Sequence, residues 1–395
     1  MSSTARRILV ISIGSLLLLL VVLKLLSRET PNVPRPDLTP FTPGISPVVS
    51  PEITLTHEPY QPVRLAWFYK PPEDGSLSIL AENFDTFILT HKDEAQRDIL
   101  KSLGVKSPIY VYLQLVEIRD PGSCTETPQG NQVAFQPGDF CEINEQHPDW
   151  FLLDQNGNRI VDRNSYYMDP GNREYQAFWL QRARTLQEQF HWDGIFIDNV
   201  EASLSKLTEE GIVPANYPND ERYQSAIEGF LAYLRDNYFQ PHGQPVLANI
   251  ISIEDWNVWL RYLQYLDGAM VEAFAVDWAN DYRSPENWEI QMEAVDRAVS
   301  QNKALILVAQ SEGPDPERQK FALASYLLIA NEKVSFRYTD AAGYQEILLF
   351  DNYALDLGKP LGPRKKVSDS WRRDFSNGTV LINPQKHTAE IKLGP

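Results

Sequence analysis

Cysteine and positive charge are both scarce in this chain of 395 residues. It contains 2 cysteines, Cys124 and Cys141, which are too few for a metal site built from thiolates. Its 36 lysines and arginines are outnumbered by 53 aspartates and glutamates, which gives a formal net charge of -17. A protein that binds nucleic acid normally presents a basic surface, so we expect no nucleic-acid partner.

Several sequence signatures of catalysis are also missing. No two histidines have the HExxH spacing of zinc hydrolases, and the chain contains neither a Gly-x-Ser-x-Gly turn nor a phosphate-binding P-loop. A hydrophobic content of 43% and an aromatic content of 11% exclude a largely disordered chain. We therefore expect a folded protein that uses neither a metal nor a cofactor.

A long hydrophobic run is present over residues 8–26, directly after Arg6 and Arg7. It approaches the ~20 apolar residues that a membrane-spanning helix needs. Because arginines precede it, the N-terminus is predicted to lie in the cytoplasm and the rest of the chain outside. We predict an uncleaved, single-pass signal anchor at residues 1–27, with a cleaved signal peptide as the alternative. In such an extracytoplasmic domain the two cysteines could pair as a disulfide, or stay as inert thiols.

The remaining sequence divides into a linker and an α/β domain. Residues 28–62 hold nine of the chain's 28 prolines and are predicted to form a stiff, extended linker. From residue 63 to 344, eight apolar runs alternate with stretches of helical periodicity. This alternation predicts parallel βαβ units closed into a (β/α)8 TIM barrel, with a doubly wound open sheet as the alternative. The eight runs are Arg64–Tyr69, Phe84–Thr90, Pro108–Ile118, Gly194–Val200, Val246–Ile251, Gly268–Phe274, Ala304–Gln310 and Lys333–Tyr338.

After residue 345 the pattern changes to short segments typical of strands. Asn377-Gly378 separates two of them and is a strong signal for a hairpin turn. We predict a small antiparallel β appendage over residues 345–395. Its expected strands are Ile347–Phe350, Trp371–Phe375, Thr379–Asn383 and Thr388–Lys392.

Two acidic residues are the candidate catalytic groups. Working residues of a TIM barrel lie at the carboxyl ends of the strands, and Asp198 directly follows the apolar residues 194–197 of the fourth run. Glu272 interrupts the sixth run, where a charge is costly unless it faces a polar pocket. Hydrolysis of a glycosidic bond needs two carboxyl groups, one as nucleophile or base and one as acid. For each residue, a structural role at a strand end is the alternative.

Other side chains near the predicted strand ends suit the binding of a sugar. Polar groups can hydrogen bond to hydroxyl groups, and aromatic rings can stack on a sugar ring. Each also has a plain structural explanation, as a strand-end cap or a core residue. The candidate substrate-binding residues are Trp67, Tyr69, His91, Gln114, Glu117, Asn199, Glu201, Asn249, Gln310, Arg337 and Tyr338.

Four segments carry a resemblance to a known family. Residues 192–199 (WDGIFIDN) resemble the strand-4 signature of several α-glycosidase-like barrels. Residues 147–152 (HPDWFL) and 167–172 (YMDPGN) resemble the stretch before that strand, and residues 371–384 resemble a C-terminal β segment. Together they resemble glycosyl hydrolase-like family fifteen over residues 62–395. The endo-α-1,4-polygalactosaminidases are a more distant match.

This resemblance implies a glycosidase-type TIM barrel in which Asp198 matches the strand-4 nucleophile. Glu272 lies on strand 6, where such barrels often place the acid/base, although the relatives commonly carry aspartate there. We therefore predict a membrane-anchored, extracytoplasmic glycoside hydrolase that cleaves an extracellular or cell-surface polysaccharide. A catalytically inactive barrel that binds glycan as a surface or exopolysaccharide-assembly module is one alternative. A polysaccharide-modifying enzyme beside a secretion system is another.

Overall fold

The computed structural model describes residues 63–278, 280–341 and 343–394 of the chain. The predicted signal anchor at residues 1–27 and the predicted linker at residues 28–62 lie outside the described residues. Within the described ranges, the helices are all too short or too polar to cross a membrane.

Strands and helices alternate along most of the described chain. The strands are β1 (Ala66–Trp67), β2 (Thr86–Leu89), β3 (Ile109–Gln114), β4 (Glu117–Arg119), β5 (Val161–Asp162), β6 (Ser165–Tyr167), β7 (Gly194–Glu201), β8 (Val246–Ile251), β9 (Gly268–Val271), β10 (Ala304–Ser311), β11 (Val334–Asp340), β12 (Lys365–Val367), β13 (Ser370–Phe375), β14 (Gly378–Asn383) and β15 (Thr388–Leu393). The helices are α1 (Leu77–Asn83), α2 (Glu94–Ser102), α3 (Asp139–Gln146), α4 (Arg173–Glu188), α5 (Ser205–Glu209), α6 (Asp220–Leu234), α7 (Gln240–His242), α8 (Trp256–Tyr262), α9 (Pro285–Ser300) and α10 (Pro316–Leu327). A π-helical turn, Arg235–Phe239, joins α6 to α7.

Eight parallel strands form the barrel, in the order β1-β2-β3-β7-β8-β9-β10-β11. The first and last strands meet where Leu65 bridges Phe336, and the Phe336 amide donates to the Arg64 carbonyl at 2.7 Å. Each of the eight predicted apolar runs overlaps one barrel strand, so the TIM-barrel prediction is confirmed and the open sheet is excluded. The runs are apolar throughout because helices cover the outer face while side chains fill the interior.

The helix starts follow local capping rules. Helix α9 begins with Pro285 after Ser284, whose side chain accepts from the Asn287 amide. Helix α10 begins with Pro316 after Asp315 in the same way. Proline suits the first helical position because its missing N–H has no partner there in any case. These caps fix where each helix leaves the loop that follows its strand.

The third predicted run, Pro108–Ile118, is divided between two sheets. Barrel strand β3 ends at Gln114, and β4 pairs with β6 in a separate three-stranded sheet above the barrel. Glu117 therefore lies outside the barrel strand on which the sequence places it. In the long segment that follows β3, Cys124 and Cys141 form a disulfide, which closes a loop that ends in α3.

The C-terminal appendage is a four-stranded antiparallel sheet in the order β12-β13-β14-β15. Three predicted strands are present, but residues 347–350 form no strand and β12 takes the fourth place. Phe375 pairs with Gly378, so the two turn residues are Ser376 and Asn377, one position earlier than predicted. Arg373 joins the sheet to the barrel, since its guanidinium donates to the carbonyls of Leu327 and Ala330 at 3.0 Å.

Close packing at the start of β9 yields a stability prediction. A Cβ at Gly268 would lie 2.0 Å from the Ala304 carbonyl oxygen, whereas a Cβ at Gly229 in α6 would meet nothing within 4 Å. Gly268→Ala is expected to destabilise the fold by about 2 kcal/mol or more, because backbone must move. Gly229→Ala is expected to stabilise it by about 0.5–1 kcal/mol. Urea unfolding measures both, and equal shifts would contradict the packing argument.

Candidate active site

A layer of polar side chains lies above the apolar interior of the barrel, at the carboxyl ends of the strands. Interior positions of a strand recur every second residue. The apolar interior includes Tyr112, Phe196, Leu247, Met270 and Val308. The residue two positions after each of these is polar and is a predicted site residue. In the same order they are Gln114, Asp198, Asn249, Glu272 and Gln310. Because side chains alternate between the two faces of a strand, these five predicted residues all point into the barrel at one level near its mouth.

Asp198 and Glu272 are joined at the centre of this layer by one amide group. The Asn249 Nδ2 donates to Asp198 Oδ1 and to Glu272 Oε2, each at 3.0 Å. Asn249 is on β8, which lies between β7 and β9, so the Asn249 side chain reaches residues of both neighbouring strands. Two oxygens that contact the same nitrogen at this distance lie within about 6 Å of each other. Glu272 follows the last residue of β9 directly, rather than interrupting the strand as predicted.

The two carboxyl groups have different surroundings. Burial raises the pKa of Asp198, and the Tyr112 hydroxyl and the Asn249 amide, which donate to it, oppose this rise. Burial, and next the charge of Asp198, raise the pKa of Glu272 to about 7, with Asn249 as the opposing donor. A pair of carboxyl groups so close together loses its protons one at a time. The extra donor favours charge on Asp198, so the shared proton resides on Glu272 near neutral pH.

A β-bulge in β7 turns a second carboxylate toward the mouth. The pairing of β7 with β8 shifts between Ile197 and Val200, and Asn199 has a φ of 56°. The inserted residue keeps Val200 among the outer apolar side chains and returns Glu201 to the interior side. Without the bulge, the alternation would place Glu201 on the outer face, below the covering helices.

Glu201 and Glu117 form a second acidic group beside the central pair. The Asn199 Nδ2 donates to Glu117 Oε1 at 3.0 Å, and the Lys206 Nζ lies 3.8 Å from Glu201 Oε1. Burial raises the pKa of both glutamates, and the charge of Lys206 acts in the opposite direction. Four buried or half-buried acidic side chains with one nearby lysine therefore give this side of the mouth a negative potential.

Two further predicted residues line the mouth. Tyr69 packs against Tyr112 with ring centroids 4.9 Å apart, and its hydroxyl contacts Met270 Sδ at 3.5 Å. His91 packs against Phe135 with centroids 5.1 Å apart, and burial lowers its pKa to about 4, so its ring is neutral at neutral pH. Its Nδ1 is buried without a hydrogen-bond partner.

Three predicted residues have their polar groups engaged within the barrel wall. Trp67 is fully buried, and its indole nitrogen donates to the Lys70 carbonyl at 2.7 Å. Arg337 lies over the Trp67 ring and donates to the Phe68 and Tyr344 carbonyls. Tyr338 is buried and donates to the Asp315 carbonyl at 3.3 Å. The structure does not bring these three side chains to the carboxyl pair.

Two pockets flank the pair, and aromatic residues that the sequence analysis missed line both. A pocket of about 510 Å³ between the loops after β11 and β1 is lined by Tyr69 and Tyr344. A pocket of about 240 Å³ in the loops after β8 and β9 is lined by Glu272, Trp256 and Trp278. Trp278 could have been predicted from the sequence, because it lies only a few residues beyond the end of a predicted barrel strand. No group of three or more potential metal ligands has metal-site geometry in the described residues.

An eight-stranded parallel barrel with paired carboxyl groups at its carboxyl-end mouth is the architecture of a glycosidase-type TIM barrel. The chain belongs to the hypothetical glycosyl hydrolase family 15, whose family model matches residues 103–379. The resemblance found in the sequence is thereby confirmed. A comparison with curated proteins finds no significant match.

Several solved structures are similar to this one at low sequence identity. The glycoside hydrolase domain of PelA from Pseudomonas aeruginosa is 19% identical, with 72% of this chain and 96% of that chain covered and a TM-score of 0.47. A noncanonic maltogenic α-amylase, AmyB from Thermotoga neapolitana, is 12% identical, with 83% and 87% covered and a TM-score of 0.46.

The raised pKa of Glu272 predicts a pH-dependent contribution to stability. Its folded pKa of about 7 lies above its ordinary value of 4.5, so folding favours the protonated form. The stabilisation is complete below about pH 4.5 and is lost as pH rises through about 7. Glu272→Gln stays neutral, so its melting temperature should fall less than that of wild type between pH 5 and pH 8.

Thermal unfolding across that range tests the prediction. Glu82→Gln is the control, because Glu82 is exposed on α1, far from the mouth. The control curve should run parallel to that of wild type. A parallel curve for Glu272→Gln as well would show that Glu272 is not protonated in the folded protein.

Proposed function

We propose that this protein is a glycoside hydrolase that cleaves a polysaccharide with Asp198 and Glu272. The observation that carries the proposal is the amide of Asn249, which contacts both carboxyl groups at 3.0 Å and holds them side by side. Two carboxyl groups with separated protonation states are what glycoside hydrolysis requires. The family match supports the same class of reaction.

The proposed reaction has two steps. Asp198 Oδ attacks the anomeric carbon while Glu272 gives its proton to the departing glycosidic oxygen, so that the C–O bond breaks and a glycosyl ester forms on Asp198. Water then attacks the same carbon, Glu272 takes a proton from that water, and the ester bond to Asp198 breaks. Both carboxyl groups return to their starting protonation states.

Unpaired polar atoms around the pair support a substrate with many hydroxyl groups. Gln114 Oε1, Asn249 Oδ1 and His91 Nδ1 are buried and have no hydrogen-bond partner within the protein. Buried polar atoms normally have partners, because leaving one unpaired costs about 1–3 kcal/mol. Hydroxyl groups can both donate and accept, so a sugar, or a water molecule that it displaces, is a suitable partner for all three atoms.

The location of this activity is part of the proposal. The hydrophobic run at residues 8–26 and the arginines before it favour a barrel held outside the cytoplasm. An extracellular or cell-surface polysaccharide is accordingly the proposed substrate. Protease treatment of intact cells that express the chain tests this topology: an accessible barrel supports the location, and a protected one contradicts it.

Release of reducing sugar by the purified full chain is the main test of the activity. The substrates are amylose, dextran, chitosan and α-1,4-polygalactosamine, which differ in linkage and in charge. Asp198→Asn should reduce any release by at least about a thousandfold, because the amide cannot act as nucleophile. Glu82→Gln should act like wild type. Binding without release by both wild type and Asp198→Asn would favour the inactive, glycan-binding barrel.

The acid role of Glu272 predicts a dependence on the leaving group. Glu272→Gln should slow cleavage of sugar leaving groups by about 10²–10⁴-fold, because their oxygen needs a proton. Aryl glycosides with an activated phenol should be slowed much less, because the phenolate leaves without protonation. The wild-type rate on polysaccharide should also fall above about pH 7, where Glu272 loses its proton. Equal losses on both substrate types would remove Glu272 from the acid role.

The short spacing of the pair predicts the stereochemical outcome. Carboxyl groups ~5–5.5 Å apart give retention, and those ~6.5–9.5 Å apart leave room for a water and give inversion. Oxygens that share the Asn249 nitrogen are within about 6 Å, so we expect retention. Proton NMR of the first product anomer measures this. An inverted anomer would mean that Asp198 activates water instead of attacking the sugar.

A further inference from the structure

Trp278 is exposed to an unusual degree for a tryptophan in this protein. Half of its surface is accessible, whereas the other tryptophans of the chain are buried or half-buried. It lies in the loop after β9, six residues beyond Glu272. Its exposed ring lines a pocket at the mouth of the barrel, where a ligand can reach it.

Backbone contacts hold this loop in place on both sides of Trp278. Val276 pairs with Tyr282 across its base. The wholly buried Arg318 of α10 donates to the carbonyls of Asp277 and Asp281. These contacts fix the loop against the barrel, so the exposure of the ring is a property of the folded loop.

A neighbouring loop adds a further anchor. The Glu312 amide donates to Asn280 Oδ1 at 2.8 Å, and Asn280 Nδ2 donates to the Glu312 carbonyl at 3.3 Å. Glu312 follows β10, the next strand of the barrel. The Trp278 loop is thus tied to its neighbour at the mouth.

The pocket beside Trp278 contains the proposed acid. Its walls include Glu272, Ser252, Trp256, Trp278 and Arg283, whereas Asp198 is not among them. Its volume of about 240 Å³ is below the ~300–1,000 Å³ of pockets that enclose drug-sized ligands. A single sugar ring therefore suits its size better than a longer segment of polysaccharide.

We infer that Trp278 is the stacking platform for the sugar on the leaving-group side of the cleaved bond. This inference rests on the proposed function, because the acid role of Glu272 defines which side of the cleaved bond is the leaving-group side. The acid must lie next to the glycosidic oxygen of the leaving sugar, and Glu272 lines this pocket. The indole face covers the apolar C–H face of the ring, and Trp256 forms the adjoining wall.

The polar groups of the same pocket suit the rim of that ring. Arg283 Nε donates to the Ala273 carbonyl at 2.9 Å, which fixes the direction of the guanidinium. Its Nη1 lies 4.0 Å from Asp277 Oδ2, beyond a hydrogen bond. A guanidinium at the edge of an aromatic platform is a polar group of the kind that fixes the orientation of a bound ligand.

Comparison of two kinds of leaving group tests the platform. The substrates are the polysaccharide that wild type cleaves and the glycosyl fluoride of its repeating sugar, whose leaving group has no ring. Trp278→Ala should reduce kcat/KM on the polysaccharide by about threefold to tenfold or more, and leave the fluoride rate unchanged. Trp278→Tyr, which keeps a ring, should recover most of the loss. Leu361→Ala, at an exposed apolar residue of the C-terminal segment, is the control.

Acrylamide quenching of tryptophan fluorescence separates this inference from the proposed function. Trp278 is the most exposed tryptophan, and the difference between wild type and Trp278→Phe identifies its share of the quenched signal. If wild type releases no sugar from the four polysaccharides, the hydrolase proposal fails. Protection of Trp278 by one of them would then keep the platform as a glycan-binding site, and protection by none would overturn it. If sugar is released, equal or absent losses on polysaccharide and fluoride overturn the platform alone.

Discussion

The contact on which the site depends is the pair of hydrogen bonds from one amide nitrogen of Asn249 to Asp198 and Glu272. It holds two acidic groups from different strands next to each other. The contact needs β8 to run between β7 and β9, in parallel and in register, so that three interior side chains meet at one level. A barrel that lacked this strand order would scatter the same residues over separate faces.

That proximity also explains the electrostatics. Burial makes a charge costly at both positions, and each charge disfavours the other, so the pair carries a shared proton. The Tyr112 hydroxyl, which contacts Asp198 alone, breaks the symmetry and directs the proton to Glu272. Two similar side chains thus differ in protonation because Asp198 receives more hydrogen-bond donors than Glu272 does.

Loops that leave neighbouring strands give the site its extent. The excursion after β3 brings Glu117 to the mouth, the bulge of β7 brings Glu201, and the anchored loop after β9 carries Trp278. The barrel itself contributes the carboxyl pair, while these loops contribute most of the residues that would meet the rest of a glycan. This division is usual for TIM barrels, in which a constant scaffold supports variable loops.

Apolar runs and helical periodicity were enough to predict all eight barrel strands, because a strand that is buried on both faces is apolar at nearly every position. The same reasoning located Asp198, Asn249 and Gln310, since strand ends can be read from where apolar residues stop. It misassigned residues 347–350, whose apolar side chains pack in an irregular segment. It also could not separate Arg337 from the residues at the mouth, because the contact of its guanidinium with the Phe68 carbonyl joins positions far apart in the chain. Tertiary structure alone decided three features: the contact of Asn249 with both carboxyl groups, the higher pKa of Glu272, and the pocket at Trp278. Each needs segments that are far apart in the chain, and only the folded barrel brings those segments into contact.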